Sequence, residues 1–156
     1  MKTNEEYLGL AVRLARQNVE EKGGRPFGAV LVRDGEILAT GVNEIAATND
    51  PTRHAELQAI RAATVAQQSP RLDGCVMYAS GNPCPMCLAL MHMVGFKEVY
   101  FAYSNADGEP FGLSTARVYA EMAKPLGQQS MKIEQVRVPD AGESLYASWH
   151  RLQASP

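Results

Sequence analysis

The 156-residue sequence has no long apolar run, no basic tract and no even set of cysteines. Its longest unbroken apolar stretches, among them Cys87–Met91 and Val99–Ala102, fall far short of the ~20 residues that a membrane-crossing helix needs. The first ten residues, MKTNEEYLGL, carry acids and no apolar block ahead of a small-residue cleavage site. A secretory leader is therefore not expected, and a cytoplasmic location is the expectation. Lysine and arginine total 15 against 17 acids, for a net charge of −2. A chain that grips a nucleic-acid backbone usually presents a basic face, because its affinity comes from releasing phosphate counterions. This balance points to a small-molecule substrate rather than a polynucleotide. Three cysteines make an odd number, so a disulfide scaffold is not expected, and the close pair Cys84/Cys87 points to metal or redox chemistry. Internal repeats, linkers and low-complexity segments are missing too.

What remains is the composition of a globular protein, 46% apolar and 21% charged, over a length that suits a single domain, residues 1–156. Apolar residues at helical spacing predict an amphipathic helix over 4–22, ended by Gly23-Gly24 and Pro26. Two β-prone runs, Phe27–Val32 and Glu36–Val42, meet at Asp34-Gly35, a hairpin signal because a type I′ turn needs positive φ at both central residues. A polar loop over 43–53 leads to a helix from about His54 to Ala66. A strand at Cys75–Ala79, a helix over 84–94 and a strand at Val99–Tyr103 follow. A loop over 104–114, a short helix near 115–123, a fifth strand at Met131–Val138 and a helix near 142–152 complete the reading. The alternation of that last strand slips phase between Ile133 and Val136, as at a bulge. The order implies an α/β fold, a three-layer α-β-α sandwich around a mixed five-stranded sheet.

Two motifs carry chemistry: His54-Ala55-Glu56 and Pro83-Cys84-Pro85-Met86-Cys87. Alone, a buried histidine is most often a core residue, and a C-x-x-C pair can be a redox couple. The redox reading gives His54-x-Glu56 no role, and a four-cysteine structural site lacks its second thiol pair, since Cys75 stands by itself. Together the motifs offer two thiolates and one imidazole. Structural zinc takes four protein ligands, whereas catalytic zinc keeps a position for water. His92, five residues past Cys87 on one helix, turns away from such a site. Both cysteines begin a helix, where the dipole and free N–H groups favour thiolate. The expected ligands of one Zn²⁺ per subunit are His54, Cys84 and Cys87. Glu56, two residues beyond a ligand, is the expected proton carrier for a water molecule activated at the open position. A zinc-stabilised scaffold without activity would not require an acid at that place. The pairing of H-x-E with P-C-x-x-C is a known signature of zinc deaminases.

On these motifs the chain resembles the cytidine-deaminase-fold superfamily, and within it the bacterial guanine deaminase branch. The likeness runs from about Gly23 to Trp149. It is carried also by Pro26-Phe27-Gly28-Ala29-Val30, by Thr48-Asn49-Asp50-Pro51-Thr52 and by Tyr119–Pro125. The resemblance implies a homodimer that hydrolyses the amino-bearing carbon of a small aminated heterocycle, with water as co-substrate and ammonia released. It implies that Asn43 hydrogen-bonds the ring, that Phe27 walls the pocket and that the Ala55 backbone N–H contacts the ring. Guanine is the leading substrate; a pyrimidine or another aminated heterocycle is the alternative. A tRNA adenosine deaminase is a weaker one, since the stretch Trp149–Pro156 offers one arginine. Three departures from the branch bear on substrate. The stretch Phe111–Thr115 lacks acids, although Asp107 and Glu109 lie just upstream. Met93 stands where the branch has a pocket tryptophan, and Asn82 where it has a glutamate.

Overall fold

A computed structural model, which describes residues 1–139 and 142–154, divides the chain into two compact units, Met1–Ala120 and Glu121–Pro156. The first unit opens with α1 (Asn4–Lys22). The Thr3 hydroxyl accepts the Glu6 N–H and the Glu6 carboxylate accepts the Thr3 N–H, a capping box that satisfies two donors at the helix start. Strands β1 (Gly28–Arg33) and β2 (Glu36–Val42) form the expected hairpin, with Asp34 and Gly35 at φ 50° and 81°. The stretch expected as a loop over 43–53 contains a single helical turn, α2 (Ile45–Thr48). Then come α3 (Ala55–Gln67), β3 (Val76–Gly81), α4 (Pro85–Val94) and β4 (Glu98–Tyr103). The loop expected over 104–114 holds another turn, α5 (Asn105–Gly108), and a 3-10 turn at Glu109–Phe111, before α6 (Ala116–Met122). Ser104 and Asp107 nucleate the first of these by a second capping box. The second unit holds a 3-10 turn at Leu126–Gln128 and α7 (Leu145–Gln153), close to the helix expected near 142–152.

The sheet is mixed, in the order β2-β1-β3-β4. Strand β1 is antiparallel to both neighbours, and β3 runs parallel to β4. Side-chain alternation divides β1 and β3 between two faces. Ala29, Leu31 and Met77 pack with Leu57, Ile60, Cys87 and Met91 of α3 and α4. Val30, Val32 and Tyr78 pack with Tyr7 and Ala11 of α1. Helices thus cover both faces, which is why β1 reads as a nearly continuous apolar run, and the three-layer architecture is as expected.

One strand is not. Among the described residues the sheet has four strands rather than five, and the segment expected as the fifth, Met131–Val138, has no strand pairing. Its apolar side chains face solvent, with Val136 75% and Val138 78% exposed. The phase slip between Ile133 and Val136 means that no single face gathers the apolar residues. A strand without a buried face or a bonded neighbour has little to hold it extended. Among the described residues, no helix is long and apolar enough to cross a membrane.

Helix α3 lies directly on β2. A Cβ on Gly41 would collide with the Ala55 carbonyl oxygen and stand 2.8 Å from the Ala59 nitrogen. Gly41→Ala is predicted to cost about 1–3 kcal/mol through this overpacking, read as a lower urea midpoint. An unchanged midpoint would contradict so close an approach.

Candidate active site

His54 and Cys84 hold the same structural position. Each is the N-cap of its helix, in extended backbone, with φ/ψ of −74°/155° before α3 and −69°/165° before α4. The helices begin one residue later than the sequence pattern suggests, so both side chains project from the helix mouths. Pro85 at the first helical position of α4 needs no N–H partner and presets φ for the helix. The Cys84 Sγ accepts the Cys87 N–H at 3.5 Å, and the three-residue spacing returns Cys87 to the same side. His54 Nδ1 lies 3.4 Å from Cys84 Sγ, and the ligand atoms of His54, Cys84 and Cys87 lie within 4.8 Å of one another. A tetrahedral zinc site with Zn–S near 2.3 Å and Zn–N near 2.0 Å has an S···N edge of about 3.5 Å. The three donors therefore fit a zinc ion in both chemistry and spacing. Among the described residues they are the one such His/Cys/acid group. His92 is exposed on the far side of α4, as expected.

The charges are set for a cation. A hydrogen bond from the Cys87 thiol pulls the Cys84 thiol down to about 4 against the cost of burial, with His54 adding to the effect. The same bond, together with burial, pushes Cys87 up. His54 is raised by its hydrogen bond to Cys84, against burial and the like positive charge of Arg25. Bound zinc would hold both sulfurs as thiolates. Glu56 is 6% exposed, and burial pushes its carboxyl up, while the Cys87 thiol beside it acts the other way. A carboxyl raised toward neutrality is suited to taking up and releasing a proton.

His54, Glu56 and Cys84 open into a cavity of about 150 Å³ that Phe27 and Asn43 also line, with Cys87 fully buried behind it. Phe27 serves wall and core at once, packing against the buried cluster under α3 and α4. The Asn43 Oδ1 accepts the Ile45 N–H at 3.0 Å, which leaves its Nδ2 as the donor available to a ring. Ala55 is fully buried at the first position of α3, where a backbone N–H has no acceptor within the helix. The segment 112–115 closes the cavity with the hydroxyl residues Ser114 and Thr115. The nearby acids do not enter it: Asp107 is committed to its capping box and Glu109 is exposed. Among the described residues, Glu56 is the carboxylate that lines this cavity.

The profile of the family described as the cytidine and deoxycytidylate deaminase zinc-binding region matches residues 1–103. The chain belongs to this deaminase family. Guanine deaminase of Bacillus subtilis (strain 168) is 39% identical over 137 residues, 88% of each chain. The tRNA-specific adenosine deaminase of Aquifex aeolicus (strain VF5) is 31% identical over 149 residues, 96% of this chain and 95% of that one. The crystal structure of the Bacillus subtilis guanine deaminase superposes with a TM-score of 0.83 at 36% identity, over 97% of this chain and 94% of the other. The likeness to the guanine deaminase branch expected from the motifs is borne out. As a member of this deaminase family the chain is a hydrolytic deaminase with one Zn²⁺.

Three residues of the site lie outside the two metal motifs, of which Asn82 and Tyr119 are already part of the resemblance and Arg25 carries no signal in the sequence. Arg25 lines the cavity, as does Asn82, two residues before Cys84. The Tyr119 hydroxyl donates to the Pro83 carbonyl and so braces the turn into Cys84. Burial and the nearby Cys84, Cys87 and Glu56 charges raise its phenol. Met93 goes the other way. It is 73% exposed on α4 and lies outside the cavity lining, although the resemblance implies a pocket position for it.

Proposed function

We propose that this deaminase acts on a nucleobase or nucleoside, with guanine the leading candidate, and that His54, Cys84 and Cys87 hold its zinc while Glu56 carries the protons. The observation behind this reading is the meeting of three zinc-compatible donors, two of which, His54 and Cys84, line a single cavity together with the buried carboxyl of Glu56. At about 150 Å³ the cavity suits one small ring better than a drug-sized ligand. The 39% identity to a guanine deaminase supports guanine first.

Bound zinc supplies Lewis acidity, which makes water a competent nucleophile near neutral pH. The chain does the rest. Glu56 takes one proton from the attacking water and passes it to the ring nitrogen, then takes the second from the hydroxyl added to the ring carbon and passes it to the departing amino group. The C–N bond breaks, a C=O forms, and the nitrogen leaves as ammonia. Asn43 Nδ2 and the Ala55 N–H donate to ring acceptors, and Phe27 covers a ring face. The low exposure of Glu56 keeps bulk water from short-circuiting the transfer.

A second reading, deamination of a pyrimidine or another aminated heterocycle, is favoured by Ser114 and Thr115. Hydroxyls there bind the donor groups of guanine less selectively than a carboxylate would. The tRNA reading draws on the Aquifex aeolicus relative but sits poorly with a net charge of −2. The reading takes 1–156 as one deaminase domain in the cytoplasm, where three free thiols are stable. It also takes the enzyme as a homodimer. Phe101 and Tyr103, 44% and 54% exposed along the edge strand β4, offer an apolar surface for association.

Ammonia release from guanine, adenine, cytosine, their nucleosides, and aminated triazines and pterins is the direct test. Guanine is predicted to be turned over best; preference for another ring with guanine inert would replace it. Glu56→Gln is predicted to keep its zinc and lose about 10²–10⁴-fold in kcat on the best substrate. Full activity in that variant would remove Glu56 from the mechanism. Sedimentation equilibrium is predicted to give twice the 17.0 kDa chain mass, and a single chain mass would rule out the dimer.

A further inference from the structure

We infer that Asn18 is a positioning residue of the substrate cavity; the inference rests on the reading that this cavity receives the substrate. Asn18 belongs to neither metal motif. It sits near the end of α1, 3% exposed, a costly place for an amide unless its donors are used. Both are used. Its Nδ2 donates to the Arg25 carbonyl at 2.9 Å and to the Asn43 carbonyl at 2.9 Å. From these carbonyls the bonding continues: the Phe27 N–H donates to the Arg25 oxygen at 2.8 Å, and the Asn43 N–H donates to the Phe27 oxygen at 3.1 Å. The result is a closed ring of hydrogen bonds through Asn18, Arg25, Phe27 and Asn43. Its last three members all line the cavity.

The ring lies where the sheet can no longer do the same work. Gly28↔Val42 is the terminal pair of the β1–β2 ladder, and Arg25, Phe27 and Asn43 lie just beyond it on the two outgoing chains. Strand pairing there gives way to one side-chain amide that ties both chains together. Asn43 is held twice, by its carbonyl to Asn18 and by its Oδ1 to the Ile45 N–H, so the direction of its free Nδ2 is fixed. Leucine, of similar size, offers no donor, and alanine reaches neither carbonyl. Because the ring sets the walls and not the metal donors, it acts on binding the substrate and its transition state alike, which is a KM effect.

The test uses zinc-loaded Asn18→Leu and Asn18→Ala, with Gly24→Ala as an independent route. A Cβ on Gly24 would stand 2.5 Å from Asn18 Nδ2 and 2.9 Å from its Cγ, displacing the amide without removing it. Kinetics with guanine are predicted to show KM raised about tenfold and kcat changed less than about threefold, with zinc kept at one per chain. Amide hydrogen exchange at Phe27 and Asn43 is predicted to quicken in all three variants. A lower melting temperature with unchanged KM would make Asn18 merely structural and overturn the proposal. Loss of zinc with loss of kcat would overturn it as well, by moving the effect to the metal centre. If the wild-type enzyme ignores guanine, the substrate assignment fails separately. The exchange measurement needs no substrate: faster exchange at Phe27 and Asn43 sustains the ring, and unchanged exchange overturns it.

Discussion

The N-termini of α3 and α4 converge, and the distance between their capping residues, 3.4 Å from His54 Nδ1 to Cys84 Sγ, governs the rest of the site. Each helix presents its positive end and unbonded N–H groups to the same point, which favours anionic sulfur there. The remaining elements hold that meeting in place. Gly41 lets α3 lie against β2, Tyr119 grips the Pro83 carbonyl ahead of Cys84, and Met91 and Val94 anchor α4 in the core beneath the sheet. Glu56 and Cys87 follow automatically, as the second and third helical residues after two fixed caps.

Polar groups buried around this point are few, and each has an evident use. Ser80 accepts the Gly28 N–H at 3.0 Å where β1 begins. Asn18 and Asn43 hold the outgoing chains of the hairpin, and Glu56 faces the cavity. Among the described residues, the polar residues that are buried outright, Asn18, Asn43, Glu56 and Ser80, thus gather at the hairpin mouth and the cavity, leaving the cores on either side of the sheet apolar. That distribution is expected when burying an amide or a carboxyl costs free energy that only a hydrogen bond or a reaction can offset.

Much of this was legible in the sequence because it is local. Asp34-Gly35 determines its turn by φ preference alone, and H-x-E and P-C-x-x-C lie at the starts of helices that periodicity predicts. What escaped depends on contacts between distant residues: Asn18 meets Asn43 across 25 positions and Tyr119 meets Pro83 across 36. Met93 shows how motif alignment misleads. Four residues after Cys87, Met91 shares its buried face; six residues after, Met93 points about 120° away from it. The supposed fifth strand failed for a related reason, since β-propensity at Met131–Val138 cannot supply a partner.

The central claim is a three-ligand zinc centre with one position free of protein. X-ray absorption at the zinc edge of the zinc-loaded enzyme measures it directly. The account predicts two sulfur neighbours at about 2.3 Å and two lighter neighbours at about 2.0–2.1 Å, of which one is an imidazole. A shell of four protein donors, with a second imidazole or a further sulfur, would contradict it.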